Sequence, residues 1–367
     1  GSSPAGFYLP RSERSPFNTL ELIQQLSAAI GPSGREAAVS DVLRALWEPW
    51  SDELRTDAMG NLIALQRGNG AEPRPALMSA AHMDEIALIV TGIEKGFLHV
   101  HRIGGMDRRV LLGLEVIVHG HEDLPGIIGT RPPHVLSADE RGRIVPWEKL
   151  FVDVGLPHAE VVARVPIGAP ISIQRPLIRL KNDLVAGKAL DNRASVAVLT
   201  LALQLLRRRE HAWDFYAVAT VQEEVGAKGA LTSAFGLDPT LAIALDVTFG
   251  KQADDSGGGT FPLDKGPTIG VGPNFHPQLV QRLRDVAKNE EIPTAIEPMP
   301  GHSGTDAWSI QTAREGIPCG LLGIPLRYMH QPVETLALRD VERTARLLAA
   351  FTASLEADYR PRWEDEQ

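Results

Sequence analysis

The chain has 367 residues, 43% hydrophobic and 23% charged, with a formal net charge of −9. That is ordinary usage for a globular protein of about two domains, and it offers no basic face to a nucleic acid. A lone cysteine, Cys319, excludes an intrachain disulfide framework, fits a reducing, cytoplasmic setting, and leaves histidine and carboxylate as the candidate metal ligands.

No apolar run approaches the ~20 residues that span a bilayer, so no membrane partner is expected. The leading GSSPAGFYLPRSERSP lacks the charged-then-apolar order of a signal peptide. It reads as a flexible lead that could include a cloning scar at Gly1 to Ser3. The closing YRPRWEDEQ reads as a loose tail. Between them, Leu20, Ile23, Leu26 and Ile30 form a helical stripe that Gly31-Pro32 stops. A second helix runs through Val39, Val42, Leu43 and Leu46. NLIAL at 61 to 65 and PALMSAA at 75 to 81 read as strands, the second buried on both faces.

From about 90 to 175 the texture changes to short β-rich pieces at Leu114–Val118, Ile127–Ile128, Glu160–Val165 and Ile171–Ile173, cut by Gly and Pro. No helical period stands out there, and a small all-β sandwich or barrel is expected. Beyond it NRASVAVLTLALQLLRRR predicts a long helix with Ala and Leu on its buried side. DFYAVATV, TLAIALDV and CGLLGIPL predict strands; HPQLVQRLRDVAKNEEI and RDVERTARLLAAFTASLEA predict amphipathic helices. The expected fold is α/β, a mostly parallel sheet sandwiched by helices. Residues 1–89 and 176–367 form one discontinuous domain, with 90–175 inserted.

Acids and histidines stand where the apolar runs stop: His82 and Asp84 in ALMSAAHMDE, Asp191 in GKALDNR, Glu223 and Glu224 in YAVATVQEEVG, Asp246 in LAIALDV, His330 in LRYMHQP. Open α/β sheets bind ligands beyond the carboxyl ends of their strands. Carboxylates there are costly unless something binds them, and a two-metal hydrolase gives each a role. His82 and Asp84 lie two apart and face the same way, so one can bind metal while the other holds its second ring N–H. Adjacent Glu223 and Glu224 diverge, which suits one ligand and one free general base. Taken singly, each has a plainer reading: a surface acid, a solvated pair, a helix cap at Asp191. The other histidines read as surface or packing residues. His302, in PGHSGTDAW, could approach a substrate, but the loop reads first as a turn with a capping residue.

The segments DAMGNLIA, AHMDEIALIV, GKALDNR, VQEEVGAKGA, ALDVT, GTDAWSIQ and IPLRYMHQPVE, in that order, resemble the M42 metallo-aminopeptidases over nearly the whole chain. The gap of 109 residues between His82 and Asp191 separates this pattern from related peptidases with a similar ligand series. The aspartyl aminopeptidases, which also carry an insertion there, are the nearest rival. The resemblance implies two divalent ions per subunit, Zn(II) or Co(II). His82 and Asp246 would bind the first, Glu224 and His330 the second, with Asp191 bridging, Glu223 the general base and Asp84 orienting His82. It implies cleavage of N-terminal residues from short peptides, a dimerisation role for 90–175, and dimers building a dodecamer. Ala87 and Asn192 depart from the commonest family residues but remove no ligand. A related deacylase or carboxypeptidase is the alternative.

Overall fold

A computed structural model describes residues 18–253, 255 and 258–361; the lead, the cloning-scar reading and the end of the tail lie outside them. An eight-stranded sheet runs in the order Glu53–Thr56, Leu62–Gln66, Asp214–Thr220, Ala76–His82, Leu241–Phe249, Cys319–Leu326, Thr268–Val271, Ala295–Pro298. The four central strands, from Asp214–Thr220 to Cys319–Leu326, are mutually parallel. Their residues are buried almost without interruption, as strands covered on both faces should be.

The sheet is mixed: four of its seven pairings are parallel and three are antiparallel. Leu62–Gln66 pairs antiparallel with both of its neighbours, and Thr268–Val271 runs against Cys319–Leu326. The first reversal has a local cause. Asp57 Oδ1 accepts from the backbone N–H groups of Met59, Gly60 and Asn61, and Gly60 takes φ +102°. This tight turn forces a hairpin where a parallel pair would need a long crossover.

Leu190–Leu206 is buried on nearly all sides, not on one stripe. It lies against the central strands and the helix Leu338–Ala353. Its buried Thr200 hydroxyl donates to Val196 O and accepts from Trp47 Nε1. Beside the strand end at His82, Lys188 Nζ meets Glu85 Oε2 at 2.6 Å. The fully buried Arg193 donates to the carbonyls of Met83, Leu26 and Ala29. This polar knot ties the end of one central strand to the start of the central helix.

Directly after that strand end, the chain enters a closed six-stranded barrel made of Ala87–Glu94, Phe97–Ile103, Phe151–Asp153, Asp123–Gly129, Glu115–His119 and Pro170–Ile173. It has its own core, including Leu88, Val100, Val116, Ile128, Val152 and Ile171. The unit is β-rich rather than all-β. Residues expected to be extended at Glu160–Val165 instead form the helix His158–Arg164. Pro157 sets its start, Glu160 and Arg164 pair one turn apart at 3.2 Å, and only Val161 of the two valines is buried. A four-residue helix, Ala138–Arg141, rests on a capping box between Ser137 and Glu140. It is too short to leave a period in the sequence.

Candidate metal centre

His82 is the last residue of Ala76–His82, level with Thr220 of the adjoining strand. Glu223 and Glu224 follow that adjoining strand, Asp246 lies in Leu241–Phe249, and His330 follows Cys319–Leu326. Asp191 enters from the first turn of the central helix with non-helical dihedrals, φ −78° and ψ 103°, and a cis bond to Asn192. Asn192 Nδ2 donates to Leu245 O at 3.0 Å, which seats that turn beside Asp246.

The arrangement converges on Asp191. Its Oδ1 lies 3.1 Å from His82 Nε2 and its Oδ2 lies 3.2 Å from His330 Nε2. Asp246 Oδ1 stands 3.9 Å from His82 Nε2, and Glu224 Oε1 3.5 Å from His330 Nε2. Three overlapping trios result, His82 with Asp191 and Asp246, His82 with Glu223 and Glu224, and Asp191 with Glu224 and His330, each with donor atoms within 4.8 Å of one another; Asp191 joins the first and the last. Glu223 Oε2 sits 3.9 Å from His82 Nε2 and faces the cavity.

Asp84 holds more than was read from its spacing. Its side chain lies 3.4 Å from His82 Nδ1. The same carboxylate accepts from the backbone N–H groups of Glu223 at 3.0 Å and Glu224 at 3.2 Å, and from Ser33 Oγ at 2.6 Å. It therefore sets the histidine and both glutamates at once. Glu334, buried and unremarked in the sequence, does the same on the other side. It accepts from Asp191 N at 3.0 Å and from His330 N at 2.9 Å. His330 takes φ +61°, and this carboxylate is what anchors it. Asp306 is a further buried acid, accepting from Thr220 Oγ1 at 2.5 Å. No spacing rule marks Glu334 or Asp306: Asp191 and Thr220, which donate to them, are distant in sequence, although His330 lies only four residues before Glu334.

The donor set fits a pair of cations. Burial, with Asp246, Asp306 and Glu224 nearby, pushes the Glu223 carboxyl up to about 10 against the pull of His82. Burial and Asp191 push Glu224 up to about 7, and burial holds Asp246 well above the carboxylate range. His330 is lowered by burial but raised more by Asp191 and Glu224, to about 9. Carboxylates pressed together this way lack positive charge, and divalent ions supply it. Nitrogen and oxygen donors suit Zn(II), Co(II) or Mn(II).

A cavity of about 670 Å³ opens over the cluster. His302, Ser303, Gly304 and Thr305 line it, so the loop that reads first as a plain turn does approach the site. His302 stacks on Trp308 with ring centroids 4.1 Å apart, and its Nδ1 accepts from Gly304 N. Thr305 precedes the helix Asp306–Ile310 but makes no side-chain cap bond, so the capping expectation fails there. The barrel also reaches the site. A Cβ on Gly105 would stand 2.6 Å from His330 Nδ1, and one on Gly104 would stand 3.1 Å from Glu224 Oε2. Gly105→Ala is expected to displace the His330 ring and lower kcat/KM roughly tenfold or more. Steady-state kinetics with metal quantification checks this; an unchanged variant would show that the ring has room to move.

The profile of the M42 glutamyl aminopeptidase family matches residues 60–347. A lysyl aminopeptidase from Pyrococcus furiosus is 38% identical over 93% of this chain and 99% of its own. The TET aminopeptidase from a marine sediment archaeon of the Thaumarchaeota superposes with a TM-score of 0.87 at 33% identity, covering 92% of this chain and 96% of the other. The TET1 peptidase of Pyrococcus horikoshii, which can assemble into a tetrahedron or a large octahedral shell, gives 0.81 at 30% identity, covering 92% and 100%. No helix among the described residues is long and apolar enough to cross a membrane. The chain belongs to the M42 family, and it is a metal-dependent aminopeptidase, a hydrolase of N-terminal peptide bonds.

Proposed function

We propose that two divalent ions, Zn(II) or Co(II), work at this centre on the first peptide bond of short peptides. His82 and Asp246 would hold one, Glu224 and His330 the other, and Asp191 both. The observation that carries this reading is the Asp191 carboxylate, with one oxygen toward each histidine. When bound, the ions supply a water of lowered pKa and a Lewis acid for the carbonyl. Glu223 takes the proton of the attacking water and returns it to the departing amine. Asp84 keeps Glu223 in range through its backbone N–H and keeps His82 in one ring orientation.

The same reading assigns 1–89 and 176–367 to catalysis and 90–175 to dimerisation, with dimers building a dodecamer. The barrel exposes Phe97, Ile127, Val135 and Ile144, apolar side chains that a partner would cover. The assembling relative supports the larger particle. A buried free thiol at Cys319 suits a cytoplasmic location. Chelated enzyme given Zn, Co or Mn should cleave free-amine peptides and leave N-acylated amino acids intact, with light scattering reporting a particle above dimer size. Preferential hydrolysis of the acylated substrates would replace the aminopeptidase reading with a deacylase.

A further inference from the structure

The cavity carries one buried acid that the hydrolytic residues do not use. Glu297 lies in the edge strand Ala295–Pro298, only 8% exposed, and lines the cavity. Its Oε1 accepts from Thr248 Oγ1 at 2.5 Å and its Oε2 from Thr268 Oγ1 at 2.6 Å. Two neutral hydroxyls leave the carboxylate with further lone pairs to offer. No lysine or arginine is among the residues lining the cavity. Burial pushes this carboxyl up, and the two hydroxyls recover only part of that cost.

The seat is built from three further strands. Gly323, on Cys319–Leu326, keeps it open: a Cβ there would stand 2.4 Å from Thr268 Oγ1 and 3.2 Å from Glu297 Oε2. Thr248 lies two residues beyond Asp246 on Leu241–Phe249, so both point to one face. Two strand residues span about 7 Å. That is a fitting offset for a four-carbon stem that starts near the metal ligands and ends at Glu297. Val247, Phe249 and Met299 give the stem apolar walls.

We infer that Glu297 is the specificity-determining residue for the first side chain of the substrate, and that this side chain is basic, lysine or arginine. The inference rests on the aminopeptidase reading. An ammonium or guanidinium group provides the charge the carboxylate lacks. An aliphatic side chain leaves that charge buried and unmatched, and an acidic one sets like charges together.

The test compares lysyl, arginyl, leucyl and glutamyl 4-nitroanilides on metal-reconstituted wild type and Glu297→Gln, alongside calorimetric titration of L-lysinamide and L-leucinamide. Wild type should favour the basic anilides. The variant should lower the lysyl-to-leucyl ratio of kcat/KM about tenfold or more, chiefly through KM. Lysinamide should lose its advantage over leucinamide. A wild type that prefers leucyl or glutamyl anilide, or a variant whose ratio moves less than tenfold, overturns the inference. Equal loss on both substrates marks a structural role and also overturns it. If no anilide is cleaved, the aminopeptidase reading fails, and calorimetry alone decides the subsite: tighter lysinamide binding that depends on Glu297 keeps it, equal binding removes it.

Discussion

Glu223→Gln is expected to retain both metal ions and lose about 10²–10⁴-fold in kcat, the usual share of a positioned general base. The amide is close to isosteric, and the backbone N–H of residue 223 still reaches Asp84. Neither trio around Asp191 that would hold the ions, with His82 and Asp246 or with Glu224 and His330, includes Glu223. Only the proton acceptor is removed. Glu223 is suited to that task because it is buried, points into the cavity, and stays 3.9 Å from the His82 ring. Its strong hold on a proton comes from burial first and the surrounding acids second. Cations placed in their midst would restore the ionised form at neutral pH without removing its basicity. The check pairs elemental analysis with kcat for a free-amine peptide. A variant carrying two ions and working within tenfold of wild type would move the base to another residue.

The central strands and the residues at their ends were legible for one reason. ALMSAAH and LAIALD are apolar without alternation, and the break in each run is an acid or histidine that no core would accept unaided. What was not legible depends on partners far along the chain. Glu334 follows a proline-containing turn and nothing in its surroundings singles it out, yet it fixes the backbones of Asp191 and His330. Gly104 and Gly105 read as punctuation between strands, yet their missing Cβ atoms make room for the Glu224 and His330 side chains. Glu297 stands in EPMP, where two prolines suggest a loop; pairing with Thr268–Val271 makes it a strand. The hairpin at Asp57 and the helix at His158 were missed because short-range bonding overrode an apolar pattern too brief to decide.

Metal removal is expected to abolish turnover and to make stability depend on pH in the opposite sense from the loaded protein. In the stripped protein Glu224 titrates near about 7, His330 near about 9 and Glu223 near about 10, all above their ordinary values. Each binds its proton more tightly folded than unfolded. Their contribution is complete below the unfolded values, about 4.3 for Glu and 6.5 for His. It is lost as pH rises through the folded values, so the stripped protein weakens from about pH 5 to 9. Asp84, Glu85 and Asp191 are shifted down, and their contribution fades only on acidification below that range. Ions reverse the trend because they displace the same protons, and their affinity grows as pH rises. Each ion held at a thousand times its dissociation constant adds about 4 kcal/mol, enough to raise Tm by several degrees. Thermal unfolding between about pH 5.5 and 8.5, with chelator or with excess Zn(II), should show a gap in Tm that widens with pH. A gap that narrows, or a stripped protein that gains stability over this interval, would mean that the crowded carboxylates around Asp191 are not where the cations bind.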